Sequence, residues 1–280
     1  INPKAVIGIL DPKLNNQRNY EEAVNADFLV VSSLEQQLFA SQFNKNIVIF
    51  NWFSEIEFKK NKNLGSKKIR IGYQGNKIHL NAFSHSLKSA FESLYKEFKF
   101  IELVPIYDMK NLGKWKIGRP NIPILDKQWN QDDYCEILSN CDIGILPNLL
   151  PVNKYLSHFC TMTTLRKSDY NYNSNDFLLR FKLNSNPNRF WEFSQLKIPV
   201  VADLFPSSCQ VIEHDRNGFL AYDKNSWYES LKILIEQPEK RKSFGNRLYE
   251  TVNEKFSIKY NQSRFLDFLF EKFRKLKPSE

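Results

Sequence analysis

The chain of 280 residues holds 40 Lys and Arg against 31 Asp and Glu, a net charge of +9, with 42% hydrophobic and 14% aromatic residues. That is enough apolar material for one large domain or two medium ones. The sequence holds no low-complexity tract, and no apolar run approaches the ~20 residues a membrane helix needs. The basic residues are spread along the chain without an arginine cluster, which argues against a nucleic-acid binder. The excess charge fits anionic lipid or a phosphate-bearing substrate, or simply a Lys- and Asn-rich composition.

Short apolar runs alternate with helical patterns, so the expected class is α/β. Ala5–Leu10, Phe28–Val31 and Ile47–Phe50 read as strands, with Tyr20–Val24 and Leu34–Phe43 as helices between them. Residues 61–68, with Gly65 and several lysines, read as a linker. A second run then starts. Ile69–Tyr73 is a strand ending in Gln74-Gly75-Asn76, Ala82–Phe98 a helix with Phe83, Leu87, Ala90, Phe91 and Leu94 on one face, and Phe100–Ile106 a strand. Residues 108–121 look like a loop, Ile122–Leu125 a short strand, Gln131–Ser139 a helix and Asp142–Leu146 a strand closed by Pro147. Residues 149–174 are polar and irregular, too long for an ordinary connection. Beyond them come a strand at Ile198–Ala202 and helices at Pro206–Ile212, Ser226–Ile235, Glu239–Lys255 and Ile258–Lys275. The chain opens on Ile1, which reads as a processed product or a piece of something longer. Cys135, Cys141, Cys160 and Cys209 lack C-x-x-C spacing, and no signal peptide is seen, so they read as reduced, buried thiols in a cytoplasmic protein.

The segment from Arg180 to Asp203, RFKLNSNPNRFWEFSQLKIPVVAD, concentrates the chemistry. Asn184 or Ser185 can cap the turn, and Pro187 suits a first helical position. A helix start offers unpaired N–H groups and partial positive charge, which suits a diphosphate. Arg180 and Lys182 alternate with Phe181 and Leu183, so an extended run would project both basic groups the same way. Arg189 and Glu192, at i and i+3, share one side of the helix. Parallel sheets bind ligands at their carboxyl ends. The expected layout brings Gln74-Gly75-Asn76, Gln128-Trp129, Pro147-Asn148 and the loop before Arg189 together there. Each residue has a plainer alternative. Gly75 could be an ordinary turn, Trp129 core rather than a stacking platform, and Glu192 a surface carboxylate paired with Arg189. Lone histidines such as His79 are more often structural.

These residues resemble the donor-binding segment of GT-B glycosyltransferases of the family 4 type. In that family a basic residue and a glutamate open a helix leading into a Pro-Val-Val strand. A second run, VIEHDRNGFLAYDKNSWYESLKILIEQPEKRKSFG at residues 211–245, resembles the family's later signature. The likeness covers roughly residues 65–260. It implies a Rossmann-like parallel-sheet domain of GT-B type over residues 65–280, preceded by a partial acceptor-side α/β segment over residues 1–64. It implies transfer of a sugar from a nucleotide-diphosphate sugar to a polysaccharide or lipid-linked saccharide, with retention and without a metal. No D-x-D spacing, P-loop or G-x-S-x-G is present, in keeping with that.

On this resemblance Arg180, Lys182 and Arg189 carry the positive charge that stabilises the departing diphosphate. Gly75, Asn76, Trp129, Asn148, Ser185, Asn188 and Glu192 bind the donor, Glu192 at the ribose. The family's E-x7-E motif would put its first glutamate at Asn184, a departure. Its conserved basic pair usually sits nearer the first strand, where Lys77 is the candidate. No cofactor is expected beyond the donor substrate itself. The last helix is read as packing back across the two domains, with contact to the inner membrane surface as the alternative. A partner chain could supply the rest of the acceptor domain. A nucleotide-sugar-binding module without transferase activity is the other functional reading.

Overall fold

The computed structural model describes residues 6–10, 17–51, 68–149 and 188–273. The first stretch forms a three-stranded parallel sheet of β1 (Gly8–Leu10), β2 (Phe28–Val31) and β3 (Ile47–Ile49), with α1 (Gln17–Asn25) and α2 (Leu34–Ala40) as its connections. Helix α2 starts where Ser33 turns extended and its hydroxyl accepts the Gln36 N–H at 3.3 Å, the usual role of a serine cap.

The second stretch builds a six-stranded parallel sheet from β4 (Ile69–Gln74), β5 (Ile101–Tyr107), β6 (Lys127–Gln128), β7 (Ile143–Leu146), β8 (Val200–Asp203) and β9 (Phe219–Ala221). The strand order is β6-β5-β4-β7-β8-β9. The chain thus moves outward from β4 to β6, then returns to place β7 on the other side of β4. That reversal makes the crevice between β4 and β7 a switch point, where the carboxyl ends of parallel strands leave room for a ligand.

Both faces of this sheet are buried, as all-parallel sheets require. On one face Ile71, Leu103, Ile143 and Val201 pack with Phe83 and Phe91, and with Trp227 and Leu231 of α9 (Lys224–Glu236). On the other, Val104, Ile106, Leu146 and Val200 meet Leu138 of α6 (Tyr134–Ser139), Phe193 of α7 (Asn188–Gln195) and Leu248 of α10 (Pro238–Phe256). The remaining helices are α3 (Lys77–Asn81), α4 (Leu87–Glu97), α5 (Met109–Leu112), α8 (Pro206–Val211) and α11 (Ile258–Lys272).

Several expectations need correction. The single helix expected over Ala82–Phe98 is a 3-10 turn at Ala82–His85 followed by α4, and α3 precedes both. Ser86, at φ −147° and ψ −52°, interrupts the helical run. The strand expected at Ile122–Leu125 is only a bridge from Ile124 to Leu103, and the paired residues are Lys127 and Gln128. Strand β9 was not expected at all. Cys209 is exposed rather than buried, Cys135 is half-buried and Cys141 is buried. The expected linker at 61–68 and the long irregular segment at 149–174 lie almost wholly outside the described residues.

Helix α11 returns to the first sheet. Phe265, Phe268 and Phe273 surround Phe28, with ring centroids 5.8 to 6.0 Å away, and Phe265 meets Phe50 edge-on at 5.9 Å. Such tilted and edge-on pairs are the favoured aromatic geometry. This is the packing-back arrangement expected for the last helix. Among the described residues no helix is long and apolar enough to cross a membrane.

Candidate functional site

The site is built around the half-buried Arg189, in the first turn of α7. Its Nη1 donates to the carbonyl of Pro147 at 3.3 Å and its Nη2 to Oδ1 of Asn148 at 3.0 Å. Both acceptors belong to the turn that ends β7. On the neighbouring strand, Gly75 follows β4 with φ +150°. A Cβ placed there would lie 3.3 Å from Arg189 Nη1 and 2.8 Å from the Tyr73 hydroxyl. A hydrogen atom is what lets the strand end and the guanidinium share this space. The switch-point crevice is therefore lined by Gly75, Asn148 and Arg189, three of the residues singled out in the sequence.

Local chemistry fixes each wall. Asn76 caps α3, its Oδ1 accepting the Ile78 N–H at 3.0 Å, and its carbonyl accepts from the Tyr73 hydroxyl at 2.7 Å. Tyr73 is fully buried, and burial pushes its hydroxyl well above the ordinary phenol range although nearby Arg189 opposes this. Lys77 directs its ammonium at the carbonyls of Leu112 and Gly113. His79 is buried with Nδ1 3.0 Å from the carbonyl of Leu149, so that nitrogen carries the proton and donates.

Glu192, one turn into α7, is neither at the surface nor ion-paired in the way its plainer reading supposed. Its Oε2 is buried without a hydrogen-bond partner among the described residues. Burial pushes the carboxyl up to about 7, against the field of Arg189 and a hydrogen bond from Tyr134 that both favour the ionised form. Desolvation penalises the charged form, and here it prevails.

Tyr134, which opens α6, is buried, and its ring lies 6.2 Å from that of Trp129 at an interplanar angle of 34°. Trp129 is 37% exposed, so it is not a core residue; its backbone N–H donates to the Tyr107 carbonyl at 3.0 Å. An aromatic surface at the end of β6 is thereby linked through Tyr134 to Glu192 and Arg189.

Arg180, Lys182 and Ser185 lie outside the described residues, and of Asn188 only the backbone, as the first residue of α7, is described. Two residues that sequence reasoning passed over stand in the site. One is Tyr134, on the carboxylate. The other is Asp203, at the end of β8, which is 3% exposed and accepts from three N–H groups. A charge closing an apolar strand at the carboxyl edge of the sheet was the signal for Asp203. Burial raises it to about 6, opposed by the hydrogen bonds from Asn148, Leu149 and Trp227 and by the charge of Arg189.

Neither a protein-family model nor a curated protein matches the chain. Solved structures do. The S. aureus TarM structure with fondaparinux, alpha-GlcNAc-glycerol and UDP matches at a TM-score of 0.61 and 14% identity, over 90% of this chain and 46% of that one. A glycosyltransferase from Rickettsia africae matches at 0.61 and 14%, over 94% and 68%. Anabaena HepE in complex with UDP-glucose matches at 0.57 and 13%, over 94% and 72%. The chain spans about half the length of the two TarM structures it matches, 46% and 50%. At this level of identity the likeness establishes the fold: an α/β chain with the Rossmann-like parallel sheet of GT-B glycosyltransferase folds.

Proposed function

We propose that this chain is a glycosyltransferase that takes a sugar from a nucleotide-diphosphate sugar, with retention and without a metal, and passes it to a polysaccharide or lipid-linked saccharide. The observation that carries the reading is the switch-point crevice. There the Arg189 guanidinium meets the glycine-ended strand β4, and the unpartnered Glu192 oxygen lies one helical turn further on. It is supported by fold neighbours solved with UDP and with UDP-glucose.

In this reading Arg189 and the opening N–H groups of α7 hold the diphosphate, and Gly75 lets the backbone approach it. Glu192 takes hydrogen bonds from the ribose hydroxyls, and Trp129 offers its face to the base. Preorganised positive charge then stabilises the diphosphate as the bond to the sugar breaks. Arg180 and Lys182 would add to that charge, and Ser185 and Asn188 to the phosphate contacts. The division into residues 1–64 and 65–280, a partner chain completing the acceptor side and peripheral membrane contact belong to the same proposal.

Calorimetry with UDP, GDP and their sugars, followed by a donor-hydrolysis assay, tests it. Binding with turnover is expected. Binding without turnover of any donor supports instead a non-catalytic binding module. No binding of either nucleotide removes both.

A further inference from the structure

We infer that Asp203 is a positioning residue for the site: its buried carboxylate fixes the turn that aims the Arg189 guanidinium. The inference rests on the assignment of Arg189 to the diphosphate made above, and adds a residue to it. Asp203 Oδ2 accepts the backbone N–H of Asn148 at 2.6 Å and of Leu149 at 3.2 Å, and Oδ1 accepts Trp227 Nε1 at 3.2 Å. The first two donors belong to the turn after β7, the same turn that supplies the Pro147 carbonyl and the Asn148 side chain to Arg189. Three elements therefore converge on residues 147–149: β8 through Asp203, α7 through Arg189, and α3 through His79 on the Leu149 carbonyl.

A carboxylate at this place is costly, since it is withdrawn from water. An apolar residue closing β8 would avoid that cost and leave two backbone N–H groups without their acceptor. The charge does what an apolar or singly accepting residue cannot. Its two oxygens receive three donors at once, and Arg189 lies within reach of its charge. A guanidinium has a fixed planar fork of donors. Fixing the two acceptors it already uses fixes the plane of the whole fork, and with it the direction offered to a ligand.

The experiment uses the full chain. Affinity for UDP and GDP is measured by calorimetry in wild type, Asp203→Asn, Arg189→Met and the double variant, and amide exchange at Asn148 and Leu149 is followed in the ligand-free proteins. The isosteric amide replaces one acceptor oxygen by an NH2 donor, which must face either the two backbone N–H groups or Trp227 Nε1–H. The mismatch loosens the turn, so exchange at Asn148 and Leu149 rises and affinity falls about tenfold. In the Arg189→Met background the same change has little further effect on affinity, which a merely structural role would not produce. Wild-type binding that Asp203→Asn leaves unchanged, or that falls equally in both backgrounds, overturns the inference alone. Failure of the wild type to bind either nucleotide overturns the site reading beneath it, and is seen before any variant is compared.

Discussion

Glu35 and Ser207, 172 residues apart in sequence, are joined by two hydrogen bonds to one carboxylate oxygen. Oε1 of Glu35 accepts the Ser207 hydroxyl at 2.8 Å and its backbone N–H at 3.0 Å. Glu35 sits in the first turn of α2 and Ser207 in α8, so the contact ties the three-stranded sheet's helix to the helix that follows β8. Both residues are buried, and among the described residues Oε2 of Glu35 has no hydrogen-bond partner. Glu35→Ala leaves two buried donors without their acceptor and should cost about 2–4 kcal/mol in urea unfolding. Glu35→Gln keeps an acceptor and should retain most of the stability. Equal losses in both variants would show that packing, not hydrogen bonding, holds the contact.

Glu192 should make stability depend on pH with a definite sign. Its carboxyl lies near 7 in the folded chain, raised from 4.5 by burial. The native state thus holds the proton more tightly than the unfolded chain. The stability this confers is complete below the unfolded value and lost as pH rises through about 7. Glu192→Gln, which never ionises, should match wild type near pH 4.5 and exceed it by at most ~3 kcal/mol above pH 8. Melting temperatures across that range decide it, and a difference that stays flat with pH rules out a buried carboxylate.

Trp129→Ala separates binding from folding. The side chain is 37% exposed and its ring lies beside that of Tyr134, so the substitution should move stability by less than about 0.5 kcal/mol. A lost stacking surface should weaken nucleoside-diphosphate binding by ~1–3 kcal/mol. Unchanged calorimetric affinity would place the base elsewhere.

Gly75→Ala combines strain with obstruction. At φ +150° an L side chain is strained, and its Cβ would meet the Tyr73 hydroxyl at 2.8 Å. A loss of roughly 1–3 kcal/mol of stability is expected. Nucleotide affinity should fall as well, because the displaced strand end presses on Arg189. Loss of stability with full affinity would separate the turn from the site.

The parts of the fold written in continuous apolar runs were legible in the sequence. Phe28–Val31 was placed to the residue and Asp142–Leu146 within one, because strands buried on both faces leave no polar interruption. Strand β9 escaped notice since three residues after Asn217-Gly218 carry no periodicity, and its place is set only by pairing with β8. Trp115 escaped too. Lysines flank it in a stretch that reads as loop, yet it is 1% exposed, edge-on to Phe83 at 5.0 Å, with its indole N–H on the Ile117 carbonyl. Within the site, the convergence of Gly75, Asn148 and Arg189 followed from strand order and helix starts. The burial of Glu192 did not, because an i, i+3 pair of opposite charges looks the same whether water reaches it or not.

The ring of phenylalanines that α11 lays over Phe28 makes the final helix a structural lid on the opening sheet. Shortening the chain after Phe256 would therefore uncover a greasy surface at the far, amino-terminal end of the sequence, and the shortened protein would self-associate while its six-stranded sheet stayed intact.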